Sequence, residues 1–95
     1  MATVYEMTPA EVITFNLDWS QFIGSAVIVT SIWSCDLPGP NLSVSAIGAP
    51  NTSTSIEVSS VPSGSFYSPT NTITTSDGQT MQASFQINGV ANNYV

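Results

Sequence analysis

Six carboxylates, one thiol and many hydroxyls are all that this sequence offers for chemistry. The acids are Glu6, Glu11, Asp18, Asp36, Glu57 and Asp77, the thiol is Cys35, and Lys, Arg and His are absent. A serine nucleophile needs a base, and with neither His nor Lys its usual partners are missing. A carboxylate-only hydrolase needs two acids facing each other across a cleft, whereas these six are spread over loops and outward strand positions. Ser76-Asp77-Gly78 differs from the Asp-Thr/Ser-Gly loop of aspartic proteases in its order, and the chain has no second such loop. It reads as turn chemistry. Asp18, Asp36 and Asp77 could offer loop oxygens to calcium, but no Asp-x-Asp spacing supports a site. The expectation is therefore no enzyme, no cofactor and no metal. Cys35 reads as a small buried hydrophobe, since a reactive thiolate needs a cationic neighbour.

The charge balance narrows the partners. The net charge is −6 and only 6% of residues are charged, against about 25% of both signs in ordinary domains. Without cationic side chains the chain cannot release counterions from nucleic acid or be drawn to anionic lipid. No nucleic acid and no membrane are expected as partners. If electrostatics guide docking, the partner surface is basic. The longest apolar run, AVIV at residues 26–29, is far too short to span a bilayer. The N-terminus lacks the positive region and apolar run of an export signal.

The elements that would hold these groups are strands. In EVITFNLDW, residues 11–19, Ile13, Phe15, Leu17 and Trp19 point one way and Thr14, Asn16 and Asp18 the other, a half-buried strand. SQFIG, residues 20–24, is a turn closed by Gly24. AVIVTSIWS, residues 26–34, is a second strand, covered on both faces near Val29, with Trp33 as the central core aromatic. DLPGP ends it. NLSVSAI, residues 41–47, is a short strand with Leu42, Val44 and Ala46 inward. TSIEVSS, residues 54–60, places Ile56 and Val58 inward. FYSPTNTITT, residues 66–75, carries Ile73, and its early Pro69 puts its first half at an edge or bulge. Asp77-Gly78 then signals a hairpin turn. Beyond it Met81, Ala83, Phe85 and Ile87 alternate with Thr80, Gln82, Ser84 and Gln86. Six or seven short antiparallel strands without helical periodicity make an all-β fold, a small immunoglobulin-like β-sandwich. Tyr67 could form a tyrosine corner.

Several stretches together resemble a known family. PAEVITFNLDWSQFIG, residues 9–24, is followed by SIW, residues 31–33, and SGSFYSPTNTITTSDGQT, residues 63–80. This ordered set resembles the fiber-tail adaptor proteins of bacteriophages. The matching residues are Pro9, Glu11, Val12, Asp18, Trp19, Ser20, Gly24, Ser31, Trp33, Gly64, Tyr67, Thr74, Thr75, Asp77, Gly78, Phe85 and Ile87. Family members carry Arg after the Asp-Gly turn and another basic residue in the last strand, where this chain has Gln79 and Gln82. Contacts made through those basic residues do not carry over.

The resemblance implies a structural virion protein that joins tail fibres or an appendage to the tail. Its partners would be other tail or virion proteins, with many copies in a symmetric ring or lattice. The protein would be made in the cytoplasm of the host bacterium. The uncharged outer face of the last hairpin suits a moderately polar protein–protein contact. A capsid decoration or cement protein is the alternative, followed by a carbohydrate-binding module, which would need exposed aromatics in a line. By domain, residues 1–10 are expected to form an N-terminal arm, 11–90 the sandwich and 91–95 a C-terminal tail. Val4, Tyr5 and Met7 on the arm, with Tyr94 and Val95 on the tail, are the expected partner-binding residues. They are apolar residues that no strand accounts for, and such termini either order on a neighbour or fold back over an open end of the sandwich.

Overall fold

The computed structural model describes residues 4–91. Nine strands and one helical turn follow in order: β1 (Val4–Met7), β2 (Val12–Asp18), α1 (Ser20–Ile23), β3 (Ile28–Cys35), β4 (Asn41–Gly48), β5 (Ser53–Ser59), β6 (Phe66–Tyr67), β7 (Pro69–Thr75), β8 (Thr80–Ser84) and β9 (Gln86–Gly89). One sheet has the order β2-β5-β4 and a second has β3-β7-β8. A third has β1-β9-β6, in which β6 and β9 continue the lines of β7 and β8. The register Phe66↔Asn88 and Tyr67↔Ile87 runs on without a slip into Thr70↔Ser84 and Thr74↔Thr80. The expected hairpin is thus one long ribbon covering residues 66–89. The two layers carry the B-E-D and C-F-G order of an immunoglobulin-like sandwich.

Alternation decides which side of each strand is buried. Ile56 and Val58 of β5, Ile73 of β7, and Phe85 and Ile87 of the last ribbon arm all face the interior. One core cluster joins Met7, Phe15, Ile56, Val58, Val61, Tyr67, Phe85 and Ile87, with Ile13, Leu17 and Trp33 packed at its margin. A second, nearer the hairpin turn, joins Trp19, Ile23, Ile28 and Ile73.

Four expectations require correction. Residues 1–10 are not a separate arm, because β1 pairs in parallel with β9 from Val4↔Gln86 to Met7↔Gly89. Met7 is fully buried, which removes it from any partner surface. Tyr5 lays its ring against Phe15 at 4.8 Å and Phe85 at 5.9 Å, so it closes the core at one side. Val29 is not a core residue but is 57% exposed. It is the extra residue of a bulge between Ile28↔Thr75 and Thr30↔Thr74, and a bulge shifts the phase of alternation. A second bulge in β4 lies between Ser43 and Ala46. It leaves Val44 at φ 48° and exposed, and Ala46 outward as well. The first half of the 66–75 stretch does lie at an edge, because β6 ends the order β1-β9-β6, and Pro69 stands just past it. This proline opens β7, the central strand of its sheet, a position where the missing N–H is tolerated. Tyr94 and Val95 lie outside the described residues.

The two tryptophans are unequal. Trp19 is buried, whereas Trp33 is only partly covered, with its ring 6.1 Å from Phe85. Trp33 Nε1 is buried without a hydrogen-bond partner, and such a group costs about 1–3 kcal/mol. Trp33→Phe should therefore leave the melting temperature unchanged or raise it. A clear drop in a thermal melt would show that the lost ring packing against Phe85 outweighs relief of the orphaned donor.

Gly89 is fixed by close approach. Its N–H donates to Ser65 O and its carbonyl accepts from Gly64 N, both at 2.9 Å, so the 60–65 loop lies directly on it. A Cβ there would collide with the Pro62 carbonyl. Gly89→Ala should destabilise by about 1–3 kcal/mol or more, as overpacking against backbone does. Denaturant unfolding measures this, and a midpoint equal to wild type would contradict it.

Candidate partner-binding surface

The ribbon and its neighbours build one broad outer face. Across β3, β7 and β8 the register aligns Thr30–Thr74–Thr80, Ile32–Thr72–Gln82 and Ser34–Thr70–Ser84. All nine are in phase with solvent, and all are at least partly exposed. Further along, Val4 pairs with Gln86, and Glu6 with Asn88, which also faces Phe66. Ile32 is 64% exposed and Phe66 56%. Glu6 is the single charge in this array. Gln82 Nε2 donates to Thr72 Oγ1 at 3.0 Å, tying β8 to β7 across the face. The opposite sheet presents Thr14–Glu57–Ser43 and ends at Asp18↔Ser53, so it carries formal charge where the ribbon face carries almost none.

The expected partner-binding residues fall on both sides of this boundary. Val4 lies on the outer face, half exposed; Met7 is buried, and Tyr5 sets its ring on Phe15 while staying 42% exposed. The sequence showed the hairpin half of the face. It did not show that β3 would add Thr30, Ile32 and Ser34 in register.

Behind the face sits a polar network that sequence reading missed. Trp19 Nε1 donates to Thr54 Oγ1 at 3.1 Å and to Asn71 Oδ1 at 3.3 Å. Thr54 Oγ1 donates to Asn71 Oδ1 at 2.7 Å. Asn71 Nδ2 donates to Ser31 Oγ and to Ile32 O at 2.8 and 3.1 Å. Thr54 and Asn71 are buried, and each polar atom finds partners, as buried groups must. The network ties the β2-β5 sheet to β3-β7 directly beneath Ile32. One signal was present: Thr54 and Asn71 stand in phase with the inward residues Ile56 and Ile73.

The acids act locally. Asp18 accepts from Ser20 N at 2.9 Å, and this bond holds its carboxyl below the usual carboxylate value. Asp36 accepts from Ser68 N at 2.9 Å. That bond likewise lowers its pKa and pins the joint between β6 and β7. At the hairpin turn the Thr75 hydroxyl donates to Asp77 and accepts from Gln79 N. Gly78 takes φ 85° there and donates to Thr75 O, the left-handed position of a three-residue hairpin loop. Burial pushes the Cys35 thiol above its ordinary value, the opposite of what a nucleophile needs. Asp18 and Asp77 sit at the hairpin-turn end of the sandwich, and Asp36 sits at the other, beside Ser68. Among the described residues no three His, Cys, Asp or Glu come together as a metal set. Trp19 is buried, while Phe22 and Phe66 are exposed at opposite ends, so these rings form no line for a sugar.

Fold and surface together define a small immunoglobulin-like domain whose distinguishing feature is a wide, nearly uncharged sheet face. The fold is similar to a solved structure, the solution structure of the PKD domain from KIAA 1837 protein. The TM-score is 0.60 at 20% identity, covering 96% of this chain and 85% of that one. A search of curated proteins finds no match. The family model of the podophage GP4 fiber-tail adaptor protein gp77 matches residues 7–88. The chain belongs to that family.

Proposed function

We propose that this chain is a non-enzymatic structural protein of a phage virion, an adaptor that joins tail fibres or an appendage to the tail. The family match over residues 7–88 carries this reading. Its partners are other tail proteins, and its copies stand in a symmetric ring, as closed assemblies favour. The contact is made by the outer face of β3, β7 and β8. A Thr, Gln and Ser surface with the exposed Ile32 on its β3 side offers many hydrogen-bonding groups and little charge to desolvate, which suits a moderately polar interface.

The test is Ile32→Glu. Ile32 is exposed, so the change should move stability by no more than about 0.5 kcal/mol. It places a charge within the contact, where desolvation is costly. A phage defective in this gene is complemented with the variant, and the copies on purified virions are counted. Loss of incorporation by a folded variant is expected. Normal incorporation would remove this face from the contact, and a wild-type chain absent from the tail would overturn the adaptor reading itself.

A further inference from the structure

We infer that the edge of β8, unpaired among the described residues, accepts an extended, basic segment of a partner protein as an added strand. The inference deepens the adaptor reading and rests on it for the existence of a partner. Strand β1 covers the last ribbon arm only beside Gln86–Gly89. Among the described residues nothing pairs with the outer side of β8, which is an edge in the order β3-β7-β8. Phe85 N donates to Pro69 O, and Thr75 N to Gln79 O. The odd-numbered pairs therefore carry the ladder bonds, and Thr80, Gln82 and Ser84 aim N–H and C=O at the open edge.

Natural edges are blunted by Lys, Pro, inward charges or bulges. TMQAS of β8 has neither charge nor proline, and it pairs with β7 in unbroken register. Strand β1 touches Phe15 of β2 through Tyr5, so β2, itself an edge of the other sheet, lies on the same side. Leu17, Met81 and Ala83 are only partly buried there, against the upper core cluster. An added strand would gain main-chain bonds from β8 and apolar cover for alternate side chains, the two elements of β-augmentation.

Charge selects the occupant. Asp77 and Asp18 stand at one end of this open side, and Glu6 at the other. A second copy would bring another −6 and no Lys, Arg or His. A segment with Lys or Arg flanking alternating apolar residues is complementary.

Because this chain has no lysine, a carbodiimide acting on purified virions can join its side-chain carboxylates only to a partner's amines or to N-terminal amines. Crosslinks from Asp77, Asp18 or Glu6 to partner lysines are expected. Crosslinks confined to Glu57 or Asp36 would overturn the inference. The backbone is tested by Gln82→Pro against Gln82→Ala in the complementation assay. Both lose the side chain, but only proline removes the outward N–H, which an edge strand tolerates. The proline variant should lose about tenfold more copies than the alanine variant, the backbone bond being what binds. Equal losses would overturn the inference. Amide exchange of the wild-type chain, free and on virions, reads the same edge without a variant. Protection of Thr80, Gln82 and Ser84 should rise roughly 100-fold on assembly, and unchanged exchange would overturn it. A wild-type chain missing from virions would instead sink the adaptor reading, and this proposal with it.

Discussion

Deleting residues 1–8 should leave this chain without a stable fold. The deletion removes β1 and, with it, the parallel pairing to β9. It also removes Met7, which is fully buried, and the bond from Val90 N to Met7 O. Loss of a buried Met side chain alone costs about 2–5 kcal/mol. The Tyr5 ring goes too, uncovering Phe15 and Phe85. Small domains hold only about 5–15 kcal/mol in total, so the sum consumes most or all of it. Circular dichroism and a thermal melt of the truncated chain check this. A cooperative transition near that of the full chain would restore the view of the N-terminus as a dispensable arm.

Trp19→Ala should lower the melting temperature by roughly 15–30 °C, from a cost of about 3–5 kcal/mol for a large buried aromatic in a domain of this size. The ring fills the upper core with Ile23, Ile28 and Ile73, and its N–H serves both Thr54 and Asn71. Trp19→Phe separates the two roles. It keeps most of the volume and loses the donor, so it should cost about 1–3 kcal/mol. A Trp19→Ala protein that melts within a few degrees of wild type would show that the network beneath Ile32 does not hold the sheets together. Trp19 and Trp33 therefore predict opposite outcomes for the same Trp→Phe change, one losing a used donor and the other an idle one.

The adaptor reading draws these points together at one surface. Ile32 and Thr72 lie on the outer face directly above Asn71, whose side chain bonds Ser31 and Ile32 O. The network thus fixes the plane on which the face depends. A site built on strands and backed by satisfied polar groups is held more precisely than one on loops.

Local features were legible in the residues alone. Period-two alternation put Phe15, Trp19, Ile73, Phe85 and Ile87 inward, because successive side chains of a strand face opposite ways whatever the strand pairs with. Asp77-Gly78 placed the hairpin, because φ 85° at Gly78 is a residue-level preference. The absence of Lys, Arg and His restricted the chemistry before any fold was known. Partnership between distant segments belonged to the tertiary structure alone. Only there does β1 find β9, some 80 residues away. Only there do Trp19, Thr54 and Asn71 converge from three strands or turns. Val29 and Val44 were misplaced for the same reason. A bulge arises from how two strands fit across the ladder, and one extra residue shifts the phase of alternation beside it.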